Sequence, residues 1–167
     1  MSKAAHEAIL ADALLGLGLP ANAAEALRLA ADCYEDDAAA EAHLAEARRI
    51  APDHAAVLIG VYRYYFYKNR LSDALDVAVT CLAKAARDNG LVLDWRRVRA
   101  SDADFGSYDA RLPRFYLFTL KAYAYLQLRL GDIDEGRDAA LKLLDLDPTD
   151  KINAKLLLSV LEVRDVG

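Results

Sequence analysis

Few side chains in this 167-residue sequence have the types and spacing that catalysis or metal binding requires. The three histidines, His6, His43 and His54, are scattered, and the zinc-protease motif HExxH would need a second histidine where Leu10 stands. The sequence contains no GxxxxGK[ST] or GxGxxG motif for phosphate or dinucleotide binding. We therefore predict a protein that is not an enzyme and that holds no metal and no cofactor.

An acidic stretch at residues 102–109 superficially suggests a calcium-binding loop. An EF-hand, however, would have an acidic or amide side chain where Gly106 stands and a glutamate where Pro113 stands. Neither residue offers a side-chain oxygen, so the sequence excludes an EF-hand at this stretch.

The overall composition favours helices. Alanine occurs 33 times and leucine 28 times, more than a third of the chain together, whereas valine, isoleucine and threonine total 17. Alanine and leucine lose little entropy in a helix, while β-branched residues are stiff at χ1. With 21 basic against 26 acidic residues and a net charge of −5, binding to nucleic acid is not expected.

The cysteines and the hydropathy pattern bear on compartment. Cys33 and Cys81 lie 48 residues apart and outside any CxxC motif, which favours buried, reduced thiols over a disulfide or a zinc site. The longest apolar stretch, residues 115–130, is interrupted by Lys121 and Arg129, so no membrane span is expected. We predict a cytoplasmic protein with no membrane partner.

The chain also contains a repeat. Residues 73–75 and 134–136 occupy equivalent places, and Pro52 and Pro148 each close a helix-like stretch. The sequence here resembles the tetratricopeptide repeat (TPR) family, whose 34-residue unit is a helix, a tight turn and a second helix. Three units can be aligned, at 21–54, 55–88 and 117–150. The third has the most matches: Leu120, Tyr123, Ala124, Gly131, Ala140 and Pro148.

The resemblance implies an all-α, TPR-like right-handed superhelix of about three helix-turn-helix repeats. Residues 1–167 would form a single domain, with capping helices at 1–20 and 151–167. A 28-residue insertion, 89–116, would precede the third repeat.

Helical periodicity supports these units independently of the resemblance. Apolar residues recur at the i, i+3, i+4, i+7 spacing of one helix face: Leu58, Val61, Tyr62 and Tyr65. Ser72 is a candidate N-cap of the next helix. Gly131 suits a left-handed helix end, and Asp132 with Glu135 resembles a capping box.

The resemblance also selects residues that would line the inner groove. They are Arg63, Phe66 and Tyr67 in the second unit, and Phe118, Lys121, Tyr125 and Arg129 in the third. Tyrosine and arginine anchor many interfaces, because they combine contact area with directional polar tips. The alternative is that the aromatic side chains, Phe66 and Phe118 above all, fill gaps between repeats.

The insertion at 89–116 contains the single tryptophan, Trp95, followed by Arg96. Long loops inside compact domains are uncommon and often functional. We expect a short helix here, and a cover packed over the mouth of the groove or over an edge. Trp95 and Arg96 would then be a second contact for a partner, or they pin the insertion to the repeats.

The leading interpretation is a non-catalytic module that binds a peptide or helix of a partner protein in an aromatic, positively rimmed groove. The ligand would be an acidic extended segment or helix. The TPR clamp for a C-terminal carboxylate is missing, since Glu25, Leu29 and Gly60 stand at its positions. Alternatives are a small secretion-type TPR chaperone, a self-associating structural subunit, and a ligand-binding or enzymatic pocket at the insertion.

Overall fold

The computed structural model describes residues 18–165, and in that part of the chain all regular structure is helical, with seven α-helices and no strand. This confirms the all-α prediction. The predicted capping helix at 1–20 lies almost wholly outside the described residues. The helices are α1 Ala21–Asp32, α2 Asp37–Ile50, α3 Ala55–Tyr67, α4 Leu71–Asp88, α5 Arg111–Leu130, α6 Ile133–Leu146 and α7 Lys155–Asp165.

Consecutive helices pack against each other along the chain, and α1 also contacts α3. Small side chains occupy the contacts: Ala26 of α1, Ala40 of α2 and Ala74 of α4 are all buried. One apolar core includes residues of the four helices α1 through α4. A second includes residues of α4, α5, α6 and α7. The protein is therefore built from helix pairs that share buried apolar faces.

The turns within the second and third pairs use left-handed residues. Gly131 has φ of 96°, as expected, and Asn69 takes the same role between α3 and α4 with φ of 59°. Asp132 caps α6 by accepting a hydrogen bond from the backbone N–H of Glu135. The prediction of Ser72 as N-cap was wrong, because α4 begins at Leu71, after Arg70, and Ser72 lies inside the helix.

Two predicted boundaries were also wrong. The third pair begins at Arg111, not at residue 117, so the irregular insertion is 89–110. Pro113 lies in the first turn of α5, where a backbone N–H has no helical partner and proline is tolerated. The C-terminal helix begins at Lys155 rather than near 151, because Asp150 is left-handed, with φ of 54°, and accepts from the backbone N–H of Lys155.

Helices α5 and α6 pack closely at Gly136. A Cβ atom added there would lie 2.5 Å from Cδ2 of Leu128 and 3.0 Å from the backbone oxygen of Ala124. Both distances are shorter than ordinary van der Waals contact. Gly136 thus sets how closely α5 and α6 pack, at a position where the TPR resemblance leads one to expect alanine.

We expect Gly136→Ala to lower the melting temperature, although alanine is the better helix former by about 1 kcal/mol. The added methyl group would force α6 away from α5, and overpacking of this kind costs about 1–3 kcal/mol. Thermal unfolding followed by circular dichroism would measure the effect. Adding Leu128→Ala should restore part of the loss, because it removes the nearer of the two clashes. A Gly136→Ala variant as stable as the wild type would contradict this account of the contact.

Candidate functional site

Two apolar cavities lie among the odd-numbered helices, and we call them cavity 1 and cavity 2. Cavity 1 has a volume of about 320 Å³ and lies mainly between α1 and α3. Its walls include Tyr34, Tyr64 and Tyr67, with Arg63 as a charged side chain. Gly60 lines the cavity as well, and the absence of a side chain there helps to keep it open.

Cavity 2 has a volume of about 260 Å³ and is formed where α3, α5 and α7 meet. Its lining residues are Tyr62, Phe66, Phe118, Lys121, Ala122, Tyr125, Leu156 and Leu157. The rings of Tyr62 and Phe66 stack at 5.9 Å, and Phe66 lies 6.0 Å from Tyr125. The cavity is therefore bounded by aromatic rings from two helices and leucines from a third.

The residues predicted to line one groove divide between these cavities. Arg63 and Tyr67 line cavity 1, whereas Phe66, Phe118, Lys121 and Tyr125 line cavity 2. The rings of Phe66 and Tyr67 contact each other at 5.6 Å, which joins the two walls along α3. The resemblance placed these residues in one groove, whereas in the structure they line two separate cavities.

Arg129 lines neither cavity. Its Nη1 donates a hydrogen bond of 2.6 Å to the hydroxyl of Tyr125, and its guanidinium lies 5.6 Å from the ring centroid of Tyr125. Arg129 is exposed at the C-terminal end of α5. It therefore orients a cavity 2 residue and adds positive charge beside the cavity.

The position of Lys121 differs most from the prediction of a positively charged rim around the groove. Its side chain was expected at an exposed, positive edge, but Lys121 is only 7% exposed, and its ammonium donates to the backbone carbonyl of Ile152. Burial lowers the pKa of Lys121 from its usual value, an effect that Asp150 partly offsets. Lys121 forms part of the wall of cavity 2, and its ammonium ties α5 to the turn that precedes α7.

The insertion is pinned to the outer side of α5 and α6. Trp95 and Arg96 begin a short 3₁₀ turn, and the Trp95 ring lies 6.2 Å from that of Tyr123 on α5. Further along, Phe105 is buried and contacts the ring of Tyr116 at 5.9 Å. No described residue of 89–110 lines cavity 1 or cavity 2. Of the two positions expected for the insertion, over the mouth of the groove or over an edge, it therefore does not occupy the first.

Arg96 is held by the carboxylate of Glu135. Its Nη1 donates to Glu135 at 3.2 Å, its Nη2 makes a second, shorter bond to the same carboxylate, and Tyr123 donates to Glu135 at 2.6 Å. These hydrogen bonds, that from Arg96 first, hold the pKa of Glu135 below its ordinary value of 4.5. Glu135 therefore joins the insertion to α6 rather than completing the capping box with Asp132.

In the described part of the chain, His54 caps a helix and both cysteines are free thiols. His54 caps α3, with Nδ1 accepting from the backbone N–H of Ala56 at 3.1 Å. Burial raises the pKa of the Cys81 thiol to about 12, and both Cys81 and Cys33 are free.

Among residues 18–165, no group of three or more His, Cys, Asp or Glu side chains could hold a metal ion. Within the same range, no helix is long and apolar enough to span a membrane.

Sequence reasoning missed part of both cavity walls. Tyr62 was taken for a packing residue, yet it lines cavity 2, and Leu156 and Leu157 close that cavity from α7. Tyr34 follows α1 and lines cavity 1. The apolar face of the last helix was visible in the sequence, but no sequence signal indicates which neighbour such a face meets.

Comparison with known proteins finds one close match. The chain is 38% identical over 133 residues, 79% of its own length and 74% of the relative's, to an uncharacterized 19.8 kDa protein in the nifW 5′ region of Azotobacter chroococcum mcd 1. The chain belongs to the same family as this Azotobacter protein. No protein-family model matches the chain, and no solved structure matches it either.

The pairing of Glu135 with Arg96 predicts a pH-dependent attachment of the insertion. Since the pKa of Glu135 is depressed in the folded protein, the pairing contributes stability above pH 4.5 and loses it as the pH falls through the folded value. The emission of Trp95, the single tryptophan, should shift to longer wavelength in that acidic range. In Glu135→Gln the emission at pH 7 should already be shifted.

The matched control is Glu46→Gln, because Glu46 also pairs with an arginine, Arg49, at 2.6 Å but lies on α2. Its acid profile should follow that of the wild type. Far-UV circular dichroism at each pH separates loosening of the insertion from global unfolding. An acid profile of Glu135→Gln identical to that of the wild type would mean that another contact holds the insertion.

Proposed function

We propose that the protein is a non-catalytic, TPR-like interaction module that binds a peptide or helix of a partner protein. The observation that carries the proposal is the pair of aromatic cavities between the odd-numbered helices. Concave apolar sites with a few polar groups are the usual form of a binding site. The partner would lie along α3, because Tyr67 of this helix lines cavity 1 and Phe66 lines cavity 2.

The spacing of the helices supports the TPR-like part of the proposal. The first residues of α1 and α3 are 34 residues apart, and so are those of α2 and α4. This equals the length of the TPR unit. The third pair, α5 and α6, follows the insertion, and α7 covers its open side as a C-terminal cap. Because a single helical hairpin cannot bury its own apolar face, stacking of such pairs into a superhelix is the expected arrangement.

Charge favours an acidic ligand. The chain carries a net charge of −5, yet Arg63 lines cavity 1, Lys121 lines cavity 2, and Arg129 lies beside cavity 2 on Tyr125. Local positive charge attracts a negatively charged segment, whereas the net negative charge of the whole chain disfavours non-specific binding of nucleic acid. The proposed compartment is the cytoplasm, in keeping with free cysteines and with the partner being another protein.

Self-association is the second candidate, and one feature of α7 favours it. Leu156 and Val160 lie one turn apart and are 46% and 54% exposed. Exposed apolar side chains on one helix face often mark an interface. Light scattering on the eluting protein over a hundredfold range of concentration distinguishes a dimer from a monomeric binder, and Val160→Asp should return a dimer to the monomer.

The test of partner binding is a set of single aspartate substitutions. A partner captured with the tagged wild-type protein should bind Tyr67→Asp and Leu156→Asp at least about tenfold more weakly, because interface anchors typically contribute about 2 kcal/mol or more. Tyr67 lines cavity 1 and is 43% exposed, and Leu156 lines cavity 2. Neither change therefore places a charge in the core.

The matched control is Val79→Asp. Val79 is 49% exposed on α4 and lines neither cavity, so its substitution should change the affinity by less than about twofold. Melting temperatures of all three variants confirm that the fold is kept. Equal losses in all three, or loss in Val79→Asp alone, would place the binding surface elsewhere.

A further inference from the structure

The surroundings of the Lys121 ammonium are unusual for a buried charge. The side chain is only 7% exposed and lines cavity 2. Among the residues that the structure describes, its single hydrogen-bond acceptor is the carbonyl of Ile152, and no carboxylate lies within 4 Å. An ammonium has three N–H donors, so two of them have no protein acceptor in the described part of the chain.

A buried charge without a counter-ion is costly. Buried charges in proteins are normally paired and fully hydrogen-bonded, because the interior solvates them poorly. The lowered pKa of Lys121 reflects the same desolvation. Asp150 acts on the ammonium without forming an ion pair with it. A negatively charged group that entered cavity 2 would therefore supply both a close charge and the missing acceptors.

The other walls of cavity 2 determine what must accompany that charge. Aromatic rings of Tyr62 and Phe66 come from α3, and Leu156 and Leu157 come from α7. Apolar side chains of a ligand would bury these surfaces, whereas a lone anion would not. The matching ligand thus has a carboxylate with apolar groups beside it.

We propose that cavity 2 selects an acidic side chain, aspartate or glutamate, flanked by apolar residues in a partner segment, and that Lys121 is the residue that determines this selectivity. The inference rests on the proposed function, because it names the ligand chemistry of the same surface. An acidic residue within the segment fits better than the carboxylate of a chain terminus. Besides Lys121, cavity 2 has apolar walls from two different helices, α3 and α7. A segment with apolar residues before and after the carboxylate can contact both.

Three short peptides test the chemistry. The first is acetylated and amidated Phe-Asp-Leu-Leu, the second is its asparagine analogue, and the third is acetylated Phe-Gly-Leu-Leu with a free C-terminal carboxylate. Titration into the wild-type protein, followed by NMR, should show binding of the aspartate peptide about tenfold tighter than of its asparagine analogue, as expected for a charge-assisted hydrogen bond. The Cε signal of Lys121 should shift with the aspartate peptide and not with the asparagine peptide.

The variant is Lys121→Met, which removes the charge and keeps an unbranched apolar side chain of similar length. The aspartate peptide should then bind no better than its asparagine analogue, whose own affinity should be little changed. The matched control is Lys155→Met, because Lys155 is exposed at the start of α7 and lines neither cavity. This control changes the net charge equally and should keep the preference for aspartate. The Cε signal of the wild-type protein provides the test if Lys121→Met does not fold.

Each other outcome overturns the inference. Equal affinity of all three peptides for the wild type would show a groove without selectivity for a carboxylate, and the proposed function would stand. Tightest binding of the free-carboxylate peptide would assign the site to a chain terminus. Retention of the aspartate preference in Lys121→Met would assign it to another cation. No binding by any of the three would remove this ligand class from cavity 2, while the capture experiment with Tyr67→Asp would still decide the proposed function.

Discussion

Close packing of helices through small side chains is the constraint on which the rest of the structure depends. Buried alanines occur on every helix from α1 to α6, and Gly136 lies at a close contact between α5 and α6. Small residues let two helix backbones come together, but each buries little apolar area. Larger side chains therefore provide most of the apolar area of the core.

The two cavities depend on the shapes of these larger side chains. Both α3 and α5 carry several aromatic residues, and flat rings that meet at angles leave space between them. Tyr62, Phe66 and Tyr125 contact one another around cavity 2 without closing it. The same residues thus pack the helices together and line an open cavity.

The insertion at 89–110, unlike the aromatic residues of α3 and α5, lines neither cavity. Its apolar residues Trp95, Val98 and Phe105 are buried against α5 and α6, and Arg96 is engaged by Glu135. Lys142 of α6 also donates to the backbone oxygen of Val98 at 2.9 Å. These contacts explain how 22 residues without an α-helix stay ordered between α4 and α5. They leave cavities 1 and 2 open on the other side of the helices.

The sequence by itself determined the local features of the protein. Alanine and leucine content indicated helices, the 3.6-residue periodicity indicated their buried faces, and Gly131 marked a turn, because each of these depends on neighbours within a few residues. Tertiary structure decided the start of α5 at Arg111, the division of the predicted groove into two cavities, and the burial of Lys121. A helical wheel places Lys121 and Tyr125 on one face, but whether that face meets solvent or α7 depends on contacts with residues more than 30 positions away. Such contacts arise from the packing of whole helices, and no local pattern of residue types encodes them.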